Sequence, residues 1–265
     1  MLRAACLLVA LAVTAVAGSA QSRSQADSGC RDRSFSDRDR AVHCETREET
    51  FAGSGLVDVD ASRNGGIRVR GWNRNDVRLV SHITAYGSTE ARARALADDV
   101  RIETGGRIRA TGPAASRDEH WHVSYEIDVP RDARLALNTY NGGITIEDFR
   151  GSANFTARNG GVTLTDVNGD IRGETTNGGL TIRLSGDRWE GPGLDVETRN
   201  GGIRMVVPDR YSAQLETGTV NGRVRIDFPI TIQGTIGREI RTTLGSGGPL
   251  VRAMTRNGGI NIERR

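Results

Sequence analysis

The sequence predicts an all-β fold, a parallel two-sheet β-solenoid with coils of about eighteen residues and one short helical insertion. Three observations point there. Asn-Gly-Gly followed by an aliphatic residue occurs at Asn141, Asn159 and Asn177, eighteen residues apart. Short apolar–polar alternations of period two separate turns that fall roughly every nine residues. Gly is abundant at 34 residues while Pro is scarce at 6, without the period of collagen. The alternative is an antiparallel sandwich or meander, since Asn-Gly between alternating strands is also a hairpin signal. Residues match better at eighteen than at nine: Asn141-Gly142-Gly143 matches Asn159 and Asn177, but not Arg150-Gly151-Ser152. Stacking residue i on residue i+18 would align Asn on Asn and Ile on Val on Leu.

Along the 265 residues, Met1-Leu2-Arg3, the apolar run Ala4–Ala17 and the small residues Gly18-Ser19-Ala20 read as a secretory signal peptide over 1–20. Residues 21–50 are polar and of mixed charge, a poorly ordered arm. Cys30 and Cys44, the cysteines left after cleavage, are expected to form a disulfide in an oxidising compartment. The solenoid domain is expected over 51–265. Its first repeat is Leu56–Trp72, with the turn at Asn64. Ser88-Thr89-Glu90 and the Ala-rich stretch to Val100 predict a helix over about 89–99, with a Ser or Thr cap. Trp121, Val123, Tyr125, Ile127 and Val129 alternate as a strand ended by Pro130.

Beyond Leu135 the repeat dominates, and looser copies carry turns at Asn200, Asn221 and Asn257. The interval from Asn221 to Asn257 is twice eighteen, which predicts one coil without its signature turn. At each corner glycine is expected to supply φ > 0, and Asn to tolerate the left-handed region.

Tyr125-Glu126-Ile127-Asp128-Val129-Pro130, Leu135-Ala136-Leu137-Asn138-Thr139, the Thr-x-Asn-Gly-Gly-Ile-x-Ile units and Gly245-Ser246-Gly247-Gly248-Pro249 together resemble the bacterial adhesin-domain family. These are exported β-strand-repeat proteins of unknown function. The resemblance covers residues ~50–265 and is moderately specific, because many solenoids share such turns. It implies a β-solenoid and adhesion at a surface, and it carries over no catalytic residue.

Few motifs bear chemistry. His120 and His122 share one strand face with Glu126, a spacing able to hold a metal, but a solvated polar face accounts for them as well. His43 lies beside Cys44, whose disulfide would remove the thiolate a metal needs. The turns lack the Asp of calcium-binding repeats. The acidic pairs Glu147/Asp148, Asp58/Asp60 and Asp195/Glu197 are expected as exposed decoration. No Gly-rich phosphate loop opens a helix, and no nucleophile elbow is present. No cofactor and no nucleic-acid partner are therefore expected, and no membrane span after the signal.

The residue before the turn is Arg63, Arg158, Arg199 or Arg256 at four repeats, with Tyr140, Thr176 and Val220 between them. Coils stacked in sequence order would alternate Arg with neutral residues, ~10 Å apart, along a possible anionic-ligand edge. Trp72 and Trp189 are loose candidates for sugar stacking. All 36 basic residues are Arg, and the formal net charge is only +3. The expected function is that of an exported, non-enzymatic adhesin in the periplasm, at the cell surface or outside it, binding surface polysaccharide of anionic character. The alternatives are a periplasmic structural or envelope-stress accessory whose partner is an envelope protein, and a degraded polysaccharide-active enzyme.

Overall fold

The computed structural model describes the backbone of residues 23–26 and, in full, residues 40–53, 55–116, 118–230 and 238–265. The expected signal peptide and Cys30 lie outside the described residues, and with Cys30 the expected Cys30–Cys44 pairing.

The chain begins with β1 (Arg23–Ala26), β2 (Ala41–Ala52), β3 (Leu56–Asp60), β4 (Ile67–Trp72) and β5 (Asp76–Gly87). The helix α1 (Glu90–Asp98) follows, then β6 (Arg101–Glu103), β7 (Arg107–Thr111) and β8 (His120–Pro130). The repeat region comprises β9 (Arg134–Asn141), β10 (Ile144–Glu147), β11 (Ser152–Asn159), β12 (Val162–Thr165), β13 (Asp170–Asn177), β14 (Leu180–Arg183), β15 (Gly193–Asn200) and β16 (Ile203–Val207). The last five strands are β17 (Ala213–Asn221), β18 (Val224–Ile226), β19 (Glu239–Leu244), β20 (Leu250–Asn257) and β21 (Ile260–Arg264).

These strands form two large sheets in the orders β1-β2-β5-β8-β4-β10-β12-β14-β16-β21-β18 and β19-β17-β20-β15-β13-β11-β9-β3-β7-β6. Among the described residues the fold is thus nearly all-β with one helix. Both sheets are mixed and neither closes. Each Asn-Gly-Gly turn carries the chain from the second sheet to the first, and successive arcs pair in parallel. Ile144 faces Val162, which faces Leu180. Asn141 faces Asn159, which faces Asn177. Antiparallel pairs lie at the ends, in β1-β2-β5-β8, β6-β7 and β17-β19.

One hydrophobic core runs between the sheets. Period-two alternation sends Ala153, Phe155 and Ala157 inward from one layer, and Val162 and Leu164 from the other. Phe155 faces Gly173 in register, and a Cβ on Gly173 would lie 2.4 Å from the Phe155 ring. The missing side chain is therefore room for a neighbour's aromatic.

The segment expected to be a disordered arm is partly strand. Ala41–Ala52 pairs along its whole length with β5, because its polar residues alternate in a two-faced strand. The helix lies where predicted, capped by Thr89, whose hydroxyl accepts from Arg92 N at 3.2 Å. Its inward Ala93, Leu96 and Ala97 are buried. No basic residue occupies its last turn. Arg47, reaching from β2, donates instead to the carbonyls of Ala97 and Val100 and is held by Glu45 at 2.8 Å. This satisfies carbonyls that a helix end leaves without partners.

Two expectations about the repeats need correction. First, the final arc does not follow Asn221 in the stack. β20 inserts between β15 and β17, and β21 between β16 and β18. The interval after Asn221 is not a degenerate coil: β19 within it turns back antiparallel on β17. Second, the turn glycines do not have positive φ. Positive φ occurs instead at the opposite corner, as at Asp148, Asp166, Gly169 and Gly191, and on the turn side at Ser62, two residues before Asn64. At the Asn-Gly-Gly turns the constraint is close approach of backbones. A Cβ on Gly160 would stand 2.0 Å from Gly142 O, and one on Gly178 equally close to Gly160 O.

Candidate functional site: the asparagine–arginine edge

Seven asparagines form a continuous side-chain ladder along the turn edge. Asn141 Nδ2 donates to Asn64 Oδ1 at 2.9 Å, and Asn159, Asn177 and Asn200 each donate to the preceding rung at 2.8 Å. Asn257 donates to Asn200 at 2.8 Å, and Asn221 to Asn257 at 2.7 Å. All seven predicted turn residues are thus brought together, in a spatial order the chain order does not show.

Beneath the ladder a second column fastens each turn to its neighbour. Thr139 Oγ1 donates to Gly65 O at 2.7 Å, Thr175 to Gly160 O at 2.8 Å and Thr198 to Gly178 O at 2.7 Å. Thr255 donates to Gly201 O and Thr219 to Gly258 O. The carbonyl that excludes a Cβ on the next arc is the one that accepts the next arc's hydroxyl. Ala157 occupies the one position in this column without a hydroxyl. The Thr-x-Asn-Gly-Gly spacing was visible in the sequence, but this role of Thr was not.

The arginines stand beside the ladder. In spatial order the edge reads Arg63, Tyr140, Arg158, Thr176, Arg199, Arg256, Val220, following the asparagine registers. All four arginines are exposed. The predicted strict alternation fails at one place: insertion of the last arc sets Arg256 next to Arg199, one strand spacing of ~4.8 Å away. Arg158 lies over the Tyr140 ring, 4.7 Å from its centroid. None of the four forms an ion pair among the described residues.

Arginines on the adjoining sheet face are arranged otherwise. Arg107 pairs with Asp58 at 3.0 Å, Arg172 with Asp170 at 3.0 Å, and Arg252 with Asp195 at 2.6 Å. Arg241 bridges Glu216 and Glu239. Its hydrogen bond holds the Glu239 carboxyl below the usual range. Of these, Asp58, Arg107, Arg172, Asp195 and Arg252 line a shallow groove of about 620 Å³ that includes Asn138, Asn154 and Glu197.

The remaining candidates are dispersed. His120 stacks on Tyr86 at 4.4 Å between ring centroids, and His122 at 6.0 Å. Glu126 lies 3.6 Å from His82 instead, so the candidate set of His120, His122 and Glu126 is not assembled. Among the described residues no group of three or more His, Cys, Asp or Glu is placed to hold a metal. Asp60 accepts from Ser62 N at 2.8 Å, and Glu147 lies 3.7 Å from Arg68. Trp189 is buried, donating Nε1 to Gly169 O, which removes it as a sugar platform. The Trp72 ring is covered by Arg74 at 4.5 Å. No helix among the described residues is long and apolar enough to cross a membrane.

No family model matches the chain, and no curated protein matches it. Among solved structures, a "putative cell adhesion protein" from Clostridium sporogenes is similar at 11% identity and TM-score 0.41, covering 83% of this chain and 100% of the other. A "putative lipid binding protein" from Parabacteroides distasonis is similar at 11% identity and TM-score 0.31, covering 83% and 96%. A "putative adhesin" from Bacteroides fragilis is similar at 10% identity and TM-score 0.27, covering 83% and 97%. At such identities and scores these likenesses carry no argument about what this chain does.

Proposed function

We propose that this protein is an exported, non-enzymatic binding protein, an adhesin of the cell surface or envelope, and that its ligand is an anionic polysaccharide held along the arginine edge. The carrying observation is the contrast in pairing. Arg107, Arg172 and Arg252 on the sheet face are neutralised by carboxylates, whereas Arg63, Arg158, Arg199 and Arg256 present exposed guanidiniums without ion pairs among the described residues. Adjacent guanidiniums repel, so Arg199 beside Arg256 is the strongest locus on that edge for a carboxylate or sulfate. In this reading the stacked arcs form a short two-sheet parallel solenoid, whose ~4.8 Å strand spacing presents binding groups at regular intervals to a repeating polymer. The splitting of the His and acidic candidates among separate partners supports a non-enzymatic role.

The test is binding of the purified chain to acidic and neutral polysaccharides at low and moderate salt. Saturable binding to the acidic set, weakened by salt and by Arg199→Ala with Arg256→Ala, is expected. Arg172→Ala, on the carboxylate-paired face, should leave it unchanged. Absence of binding to every acidic polysaccharide, or indifference to the double substitution, would overturn the proposal. Absence of binding would favour a structural envelope protein whose partner is another protein, and indifference to the double substitution would place the ligand elsewhere than on this edge.

A further inference from the structure

Each of the seven rungs is an Asn-Gly pair. Such pairs are prone to lose ammonia, because glycine has no side chain to obstruct its own nitrogen. The backbone nitrogen following asparagine attacks the side-chain Cγ and forms a new N–C bond. The Cγ–Nδ2 bond breaks, and ammonia departs with the proton lost from the backbone amide. Water then opens the cyclic imide at either carbonyl, giving aspartate or isoaspartate. The net change is one water consumed and one ammonia released, with no redox step.

At five rungs the attacking nitrogen is already occupied. Gly142 N donates to Asn159 O at 3.2 Å, and Gly160, Gly178, Gly201 and Gly258 donate to the asparagine carbonyls of the next arcs at 3.0 Å. The side-chain amides of those same five asparagines both donate and accept within the ladder. Attack there requires breaking bonds on both reacting groups. The first rung is shielded differently. Gly65 is buried, and a Cβ placed on it would lie 2.0 Å from Val123 O. The last rung keeps one ladder bond, Asn221 Nδ2 to Asn257 Oδ1 at 2.7 Å, but has neither a bond on the attacking nitrogen nor burial. Asn221, Gly222 and Arg223 are all exposed, and β19, the strand outside β17, pairs with it only as far as Gly218, short of Asn221. Among the described residues Gly222 N has no acceptor and Asn221 Oδ1 no donor.

We infer that Asn221 is a spontaneous deamidation site of the folded protein, and that stacking suppresses the same reaction at five rungs and burial of Gly65 suppresses it at the sixth. Losing a hydrogen bond on the attacking nitrogen corresponds to about a tenfold difference in rate per bond. Aspartate at this position cannot donate to Asn257 Oδ1, so conversion also breaks the terminal rung.

Peptide mapping by mass spectrometry after incubation of the purified chain at mildly alkaline pH tests this. Asn221 should gain the deamidation mass at least about tenfold faster than Asn141, Asn159, Asn177, Asn200 or Asn257. In denaturant that advantage should disappear and all seven should react. Asn221→Ser should leave the folded chain without a fast site. Equal rates at Asn221 and Asn159 in the folded chain would overturn the inference, as would an Asn221 preference that persists after unfolding. The experiment does not depend on any ligand, so it stands or falls separately from the proposed function.

Discussion

Asn257 donates Nδ2 to Asn200 Oδ1 across 2.8 Å, although 57 residues separate them in the chain. Asn221, much nearer to Asn200 in sequence, takes the outer place beyond Asn257. The last arc is therefore an interior element. Removing residues 250–265 should leave β17 and β18 with no partner toward β15 and β16. We expect that truncation to abolish cooperative unfolding of the region from Ala213 onward, read by circular dichroism and limited proteolysis. A truncated chain with the same single transition would show that the insertion is dispensable.

Adjacent glycines in one turn should differ sharply. A Cβ on Gly160 meets a backbone carbonyl at 2.0 Å, whereas one on Gly161 meets Gly179 O at 3.4 Å. Gly160→Ala should destabilise by at least about 3 kcal/mol, and Gly161→Ala by under about 1 kcal/mol. Chemical denaturation of the two variants gives the comparison directly. Equal losses would mean that backbone conformation, not the stack, demands glycine.

Ala157 interrupts the threonine column. Its neighbours Thr139 and Thr175 each donate to a turn carbonyl at 2.7 and 2.8 Å. Ala157→Thr should add one such bond and raise stability by about 1 kcal/mol. A lower denaturation midpoint would show that the site lacks room for the extra atoms.

Arg47 carries the C-terminal cap of α1 and leaves Glu45, which is 8% exposed, with a charge partner. Arg47→Met should cost about 2–4 kcal/mol, because it frees two carbonyls and removes a charge partner from a buried carboxylate. Pairing it with Glu45→Gln should recover part of that loss in a double-mutant cycle. No recovery would assign the whole effect to the helix end.

Acid should loosen the same end of the molecule. The Arg92 hydrogen bond holds the Glu119 carboxyl below its ordinary 4.5. A depressed folded pKa means stability that is complete above 4.5 and lost as pH falls through the folded value. Glu119→Gln should therefore flatten the acid limb of a melting-temperature-versus-pH curve while leaving the neutral region level. An unchanged acid limb would show that the pair contributes nothing measurable.

The legible parts of the fold were those with local signals. Period-two alternation located Ala153, Phe155 and Ala157 on one face, and Thr89 announced its helix by capping chemistry. The strand over residues 41–50, within the expected arm of 21–50, carries no local signal, because its hydrogen-bonding partner, β5, lies outside any local window. The candidate edge was half legible. Its four arginines were found from their position before the turn, but the contact between the Arg158 and Tyr140 side chains and the Arg199/Arg256 adjacency depend on which arcs stack.

By itself the sequence determined a chain of Asn-Gly-Gly turns between half-buried strands, since turn residues and alternation act over a few residues. Only the tertiary structure decided the order of the rungs, because β20 can pair with whichever strand offers an open edge and a matching apolar face. It also decided why the glycines are required. Their φ angles are ordinary, and the demand comes from a carbonyl of the neighbouring arc, which is two strand-spans away along the chain and one hydrogen bond away in space.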